Sequence, residues 1–119
     1  MSGEMPSARQ GEVWFAALDL VEGREQAGRR PVLIVSVDQL GTGPSQLAIV
    51  APLTSRDHAQ RIHVGVEPPE GGVRSPSWIM PEQVRSIART RLVERRGQVR
   101  PNTLEQVLHR VHLLTRAPP

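Results

Sequence analysis

Cysteine, lysine and tyrosine are all missing from this chain of 119 residues. Without cysteine there is no disulfide, no thiol nucleophile and no thiolate zinc site. Aromatic residues make up only 3%, namely Trp14, Phe15 and Trp78. Any platform on which bases stack must then be small, or must use arginine planes, and the three rings are expected mainly in a core or an interface. No apolar run is long enough to cross a bilayer, and no basic stretch precedes an apolar one as in a signal peptide. Absence of a membrane span and a cytoplasmic location are the expectations. The pattern G-x-x-x-x-G-K-[ST] is absent, so no P-loop cradles a phosphate.

What is present has the size of one domain with a single core. Hydrophobic residues at 38% and charged residues at 23% fit a globular protein. The net charge is +3, and all 15 basic residues are arginine. A guanidinium offers a planar fork of donors that matches phosphate and stacks on bases, which points to a polyanion. A GC-rich genome produces the same bias, so both readings stay open at this point.

Residues 1–9 are polar and read as a disordered tail, and 10–116 as one domain. Strands are expected over Glu12–Leu18, Pro31–Val37 and Gln46–Leu53. The second is almost entirely β-branched residues or leucine, as a strand buried on both faces would be. A long polar loop, Asp19–Arg30, precedes it, and a glycine-bearing turn, Asp38–Ser45, follows. Shorter strands are expected at Ile62–Val66, Trp78–Met80, Val84–Ala88 and Arg91–Val99, with one helical turn at Pro81-Glu82-Gln83. Asn102 and Glu105 resemble a capping box. Leu104, Val107, Leu108, Val111 and Leu114 then recur at helical spacing, giving a final helix from about 102 to 115. The fold class is mainly β with a C-terminal helix, a small, strongly bent antiparallel sheet or open barrel.

His109 and His112 share a face of that helix, but no third ligand stands at a metal-binding spacing. No metal and no cofactor are expected. His58, in a polar loop, and His63, in a strand, are available as acid–base groups. The strongest constellation is geometric. If strands 31–37 and 46–53 form a hairpin about Gly41 or Thr42, Arg30 and Thr54 fall opposite each other at one end of the sheet. Pro31 keeps Arg30 extended, and Pro52 marks an edge or bulge just before Thr54. A guanidinium and a hydroxyl fixed there suit a phosphate. The plain alternative is a salt bridge from Arg30 to Glu25 and a threonine that merely ends a strand.

The stretches GEVWFAALD, EQAGRRPVLIVSVD, AIVAPLTSR and MPEQVRSIARTRL, in that order and spacing, resemble the MazF/PemK toxin family. The resemblance covers about residues 10 to 115 and is most specific at EQ-x-G-x-RPV followed by T-S-R. It implies an SH3-like barrel with a C-terminal helix, working as a homodimer. The implied activity is metal-independent, sequence-specific endoribonuclease cleavage of single-stranded RNA. The implied partner is a cognate antitoxin whose acidic, disordered segment folds over a basic groove. By the same resemblance Arg30 and Thr54 are the catalytic pair and Glu25 supports them. Arg24, Arg29, Ser55, Arg56, Glu82 and Gln83 fall on segments that bind RNA.

Metal-free RNA cleavage uses the 2′-OH as nucleophile. That group must lose a proton, the 5′ oxygen must gain one, and charge on the phosphorane must be stabilised. Arg30 suits the last task. Thr54 can donate to a nonbridging oxygen. A guanidinium keeps its proton near neutrality and is a poor base. Glu25 is therefore the base or the group that orients Arg30, and the sequence leaves both roles open. Departures from the family pattern are Gln10 before the first glycine, Arg24 in place of a serine, and Pro76-Ser77 in place of an Asp-Ser pair. The first two bear on which RNA sequence is cut. Two other readings are a gyrase-poisoning toxin of the related CcdB type and a non-catalytic RNA-binding barrel.

Overall fold

The computed structural model describes residues 5–18 and 28–118. Among these residues seven strands and two α-helices are formed. In chain order they are β1 (Glu12–Ala17), β2 (Arg29–Ile34), α1 (Asp38–Thr42), β3 (Leu47–Thr54), β4 (Val64–Val66), β5 (Ser77–Ile79), β6 (Arg85–Ala88), β7 (Leu92–Gln98) and α2 (Pro101–Thr115). The strands run in the order β4-β5-β3-β2-β1-β7, with β6 also on β3, and every pairing is antiparallel. The sheet curls into a half-barrel closed by one C-terminal helix, the mainly-β class expected. Among the described residues no helix is long and apolar enough to cross a membrane.

The central strands are apolar on both faces because each face has its own core. Val13, Leu33, Ala51, Leu53, Ile79 and Val107 belong to one cluster. Val32, Ile34, Ala48, Val50, Ile87 and Leu92 belong to the other. Residues alternate between these layers with the strand period of two. Fully burying each Val, Leu or Ile stabilises by about 1.5–3 kcal/mol. The unbroken run Val32-Leu33-Ile34 is the trace of this in the sequence.

Strand β3 has to change partners. Residues 47–50 pair with β6, whereas Leu53 and Thr54 pair with β5. Pro52, which lacks an N–H, sits between these two pairings, where a missing donor costs nothing in the ladder. Its carbonyl accepts from Met80 N–H at 2.9 Å. Here the sheet bends and Thr54 is carried toward a cleft.

Several expectations need correction. Residues 5–9 are not a free tail. Ala8 is fully buried, and its N–H donates to the Gly41 carbonyl at 2.9 Å. A Cβ at Gly41 would fall 1.8 Å from the Ala8 carbonyl oxygen, so only glycine allows this approach. The segment read as a plain turn after β2 contains α1, and β2 itself stops at Ile34. The capping box does not form. Helix α2 starts at Pro101, and Arg100 as N-cap makes no side-chain bond. Glu70, from a distant turn, instead accepts from the Arg100 N–H and the Thr103 hydroxyl, setting a carboxylate at the positive end of the helix. Along α2, Val107 is buried and Leu104, Leu108 and Val111 pack on the first cluster, while Leu114 is exposed.

Candidate active site

The β2–β3 register pairs Ile34 with Val50, Leu33 with Ala51 and Val32 with Pro52. Two further steps in that register set Arg30 opposite Thr54. Both line a single cavity of about 780 Å³. Both residues therefore stand at one end of the sheet, as pairing about Gly41 or Thr42 predicts. Arg29, Ser55 and Arg56 line the same cavity. Glu25 and Arg24 lie outside the described residues.

The hydroxyl of Thr54 has a defined task. Its oxygen accepts the Arg56 N–H at 3.1 Å. With that lone pair engaged, the hydroxyl proton is left to be given to a ligand. Neither Arg29 nor Arg30 forms an ion pair or side-chain hydrogen bond with any described residue, and both are exposed. Both line the cleft, and among the described residues their donors are unspent.

Residues absent from the sequence reading complete the walls. Arg96, from β7, lies over the Phe15 ring at 4.7 Å from its centre and also pairs with Glu94 at 3.4 Å. Arg74 and Ser75 border the cleft from the loop after the turn at Glu70–Gly72. That loop reaches the cleft because Gly72 has φ +73 and lies so close to β7 that a Cβ would meet the Arg96 carbonyl oxygen at 2.3 Å. Nothing local in the sequence around Arg74 announces this packing, whereas Gly71-Gly72 is its only trace. Among the described residues, five arginines and no carboxylate line the cavity. Such a concentration of fixed positive charge draws in a phosphodiester backbone.

Glu82 and Gln83 do not border the cavity. They lie in the turn Pro81–Gln83. Glu82 Oε2 is 2.7 Å from His63 Nε2, and the His63 side chain is only 3% exposed. The carboxylate thus anchors a buried imidazole rather than pointing into the cleft. Among the described residues no group of three or more His, Asp or Glu is arranged to hold a metal ion.

With this geometry in view, likeness to known proteins is informative. Residues 9–115 match the family described as PemK-like, MazF-like toxin of type II toxin-antitoxin system. The endoribonuclease EndoA of Bacillus subtilis is 37% identical over 89 residues, spanning 73% of this chain and 76% of its own. The endoribonuclease MazF of Staphylococcus saprophyticus is 35% identical over 101 residues, 83% of each chain. A MazE-MazF crystal structure from Deinococcus radiodurans shares the fold with a TM-score of 0.77 at 25% identity, covering 92% of this chain and 96% of that one. By a match that runs from the first described strand through the C-terminal helix, the chain belongs to the PemK-like, MazF-like family of type II toxins.

Proposed function

We propose that this protein is a sequence-specific, metal-independent endoribonuclease toxin that cuts single-stranded RNA and is neutralised by a cognate antitoxin. The observation that carries the reading is the meeting of Arg30 and Thr54 in one arginine-lined cavity. Relatives named as endoribonucleases support the reaction class, and a relative crystallised as MazE-MazF supports the antitoxin. In this reading the protein is cytoplasmic and works as a homodimer. The antitoxin covers the basic cavity with an acidic segment that folds on binding.

The chemistry follows from the donors. The scissile phosphate lies against Arg30, whose cationic fork offsets charge growing on the nonbridging oxygens. Thr54 gives its free proton to one of them. Arg29, Ser55 and Arg56 hold the flanking backbone. Attack by the adjacent 2′ oxygen leaves a 2′,3′-cyclic phosphate and a 5′-hydroxyl end. Glu82, already bonded to His63, fixes the wall of the site rather than touching RNA.

The test is direct. Purified protein is incubated with a long RNA in EDTA beside Arg30→Ala and Thr54→Ala. Cutting by the wild type alone, with 5′-hydroxyl ends, is expected. Equal cutting by all three would refute the assigned site. Gyrase inhibition by all three with RNA left intact would refute the reaction.

A further inference from the structure

Among the described residues, five arginines and four hydroxyls, that of Thr54 among them, line the cavity beside one imidazole, that of His58. The arginines stay cationic and cannot take up a proton. Hydroxyls are poor bases without a stronger one beside them. Imidazole is the side chain suited to exchange a proton near neutrality. Proton removal from the 2′-OH and proton delivery to the 5′ oxygen are the two tasks that Arg30 and Thr54 leave undone, and water can supply the second.

His58 is also held in place. On one side Thr54 closes a turn onto the Arg56 N–H. On the other Asp57 accepts the Ala59 N–H at 2.8 Å, which engages the carboxylate of the preceding residue with backbone. Ala59 takes a left-handed φ of 55°, so the chain turns sharply just after the imidazole. The His58 ring meets the His63 ring edge-on, with centroids 6.0 Å apart and planes at 85°. His63 is in turn buried and fixed by Glu82. The nitrogens of His58 bond to no described residue. The loop is thus ordered from both flanks and from behind, and the ring's polar atoms are left for a ligand.

Building on the endoribonuclease reading, we propose that His58 is the general base of the cleavage. The neutral imidazole accepts the 2′-OH proton as the 2′ oxygen lone pair bonds to phosphorus. The P–O5′ bond breaks with its electron pair leaving on the 5′ oxygen, which takes a proton from water. The hydroxide so formed then receives the proton held on His58. Arg30 remains the charge-stabilising group and never changes protonation. Among the described residues, the charged and titratable groups around His58 are the five arginines that line the same cavity, His63 with Glu82 bonded to it, and the neighbouring Asp57, whose carboxylate is engaged.

The experiment compares the full chain with its His58→Ala, His58→Gln and Glu25→Gln variants on a fluorogenic RNA that carries the mapped cleavage site. His58 is exposed, so both His58 variants should melt like the wild type. The expected result is a fall in kcat of about a hundredfold or more in both, with KM within about threefold. The acidic limb of the wild-type kcat–pH profile should vanish in His58→Ala, and added imidazole should restore part of its activity. A substrate with sulfur as the 5′ leaving atom should give no selective recovery, because leaving-group protonation is not the defect. Selective recovery on that substrate would overturn the assignment in favour of an acid role. Unchanged kcat with raised KM would overturn it in favour of RNA binding. So would full activity in both His58 variants with a loss confined to Glu25→Gln. Wild-type protein that leaves RNA intact would instead sink the endoribonuclease reading, and this assignment with it.

Discussion

Replacing Arg89 by methionine should weaken the fold while leaving the chemistry of each folded molecule intact. Arg89 is 4% exposed. Its guanidinium donates to the carbonyls of Pro6 at 3.0 Å, Leu40 at 2.9 Å and Gly43 at 2.9 Å, with a longer contact to Leu47 at 3.5 Å. No described carboxylate pairs with it. One side chain therefore ties the N-terminal segment, α1 and the start of β3 to the end of β6. Hydrogen bonds from a charged donor contribute about 1.5–3 kcal/mol each. Two effects reduce the net value. Burying a cation without a counter-ion is itself costly, and the three nearer carbonyls are only half-buried, so water can reach them once freed. A net loss of about 2–4 kcal/mol follows. For a chain of this size that lowers Tm by roughly 8–16 °C. Urea melts of wild type, Arg89→Met and Arg89→Lys measure it, and the lysine variant should fall between the other two. A loss below about 0.5 kcal/mol would refute the reasoning, since that is what a neutral surface substitution gives.

Thr54→Val removes the donated proton with little change of volume and should lower kcat by about a hundredfold or more, whereas Thr54→Ser should retain most of the rate. Single-turnover cleavage of a short RNA separates them. Gly72→Ala forces a Cβ onto the Arg96 carbonyl at a positive φ, and should destabilise by about 2 kcal/mol or more in chemical denaturation. If the arginine cavity binds backbone phosphates, log affinity for an uncleavable 2′-deoxy oligonucleotide should fall linearly with log salt. Arg74→Ala should then reduce that slope by about 0.7, as read by fluorescence anisotropy.

The elements that the sequence revealed are those with a strong local period. Val32-Leu33-Ile34 and the run from Leu104 to Val111 obey strand and helix repeats that follow from backbone geometry alone. The pairing of Arg30 with Thr54 was also legible, because hairpin register depends on the turn's position and little else. Other expectations failed where a distant group supplied the missing contact. Asn102 and Glu105 spell a capping box, but Glu70 already satisfies the start of α2. Ala8 in a polar segment reads as tail, yet Gly41 opens the gap that buries it. The family resemblance sets Glu82 and Gln83 on a segment that binds RNA, and in the fold neither lines the cavity while Glu82 is bonded to His63.

Local periodicity determined on its own a bent antiparallel sheet with one packed helix, the absence of cysteine excluded disulfide and thiolate chemistry, and the all-arginine basic set left polyanion binding and genomic bias both open. Which arginines share a cavity, which hydroxyl proton is free and which histidine stands at the cleft were decided only by the fold. Those properties arise where β3 changes partners at Pro52 and a glycine turn lies against β7. They join residues tens of positions apart, and no periodicity along the chain encodes a distance of that kind.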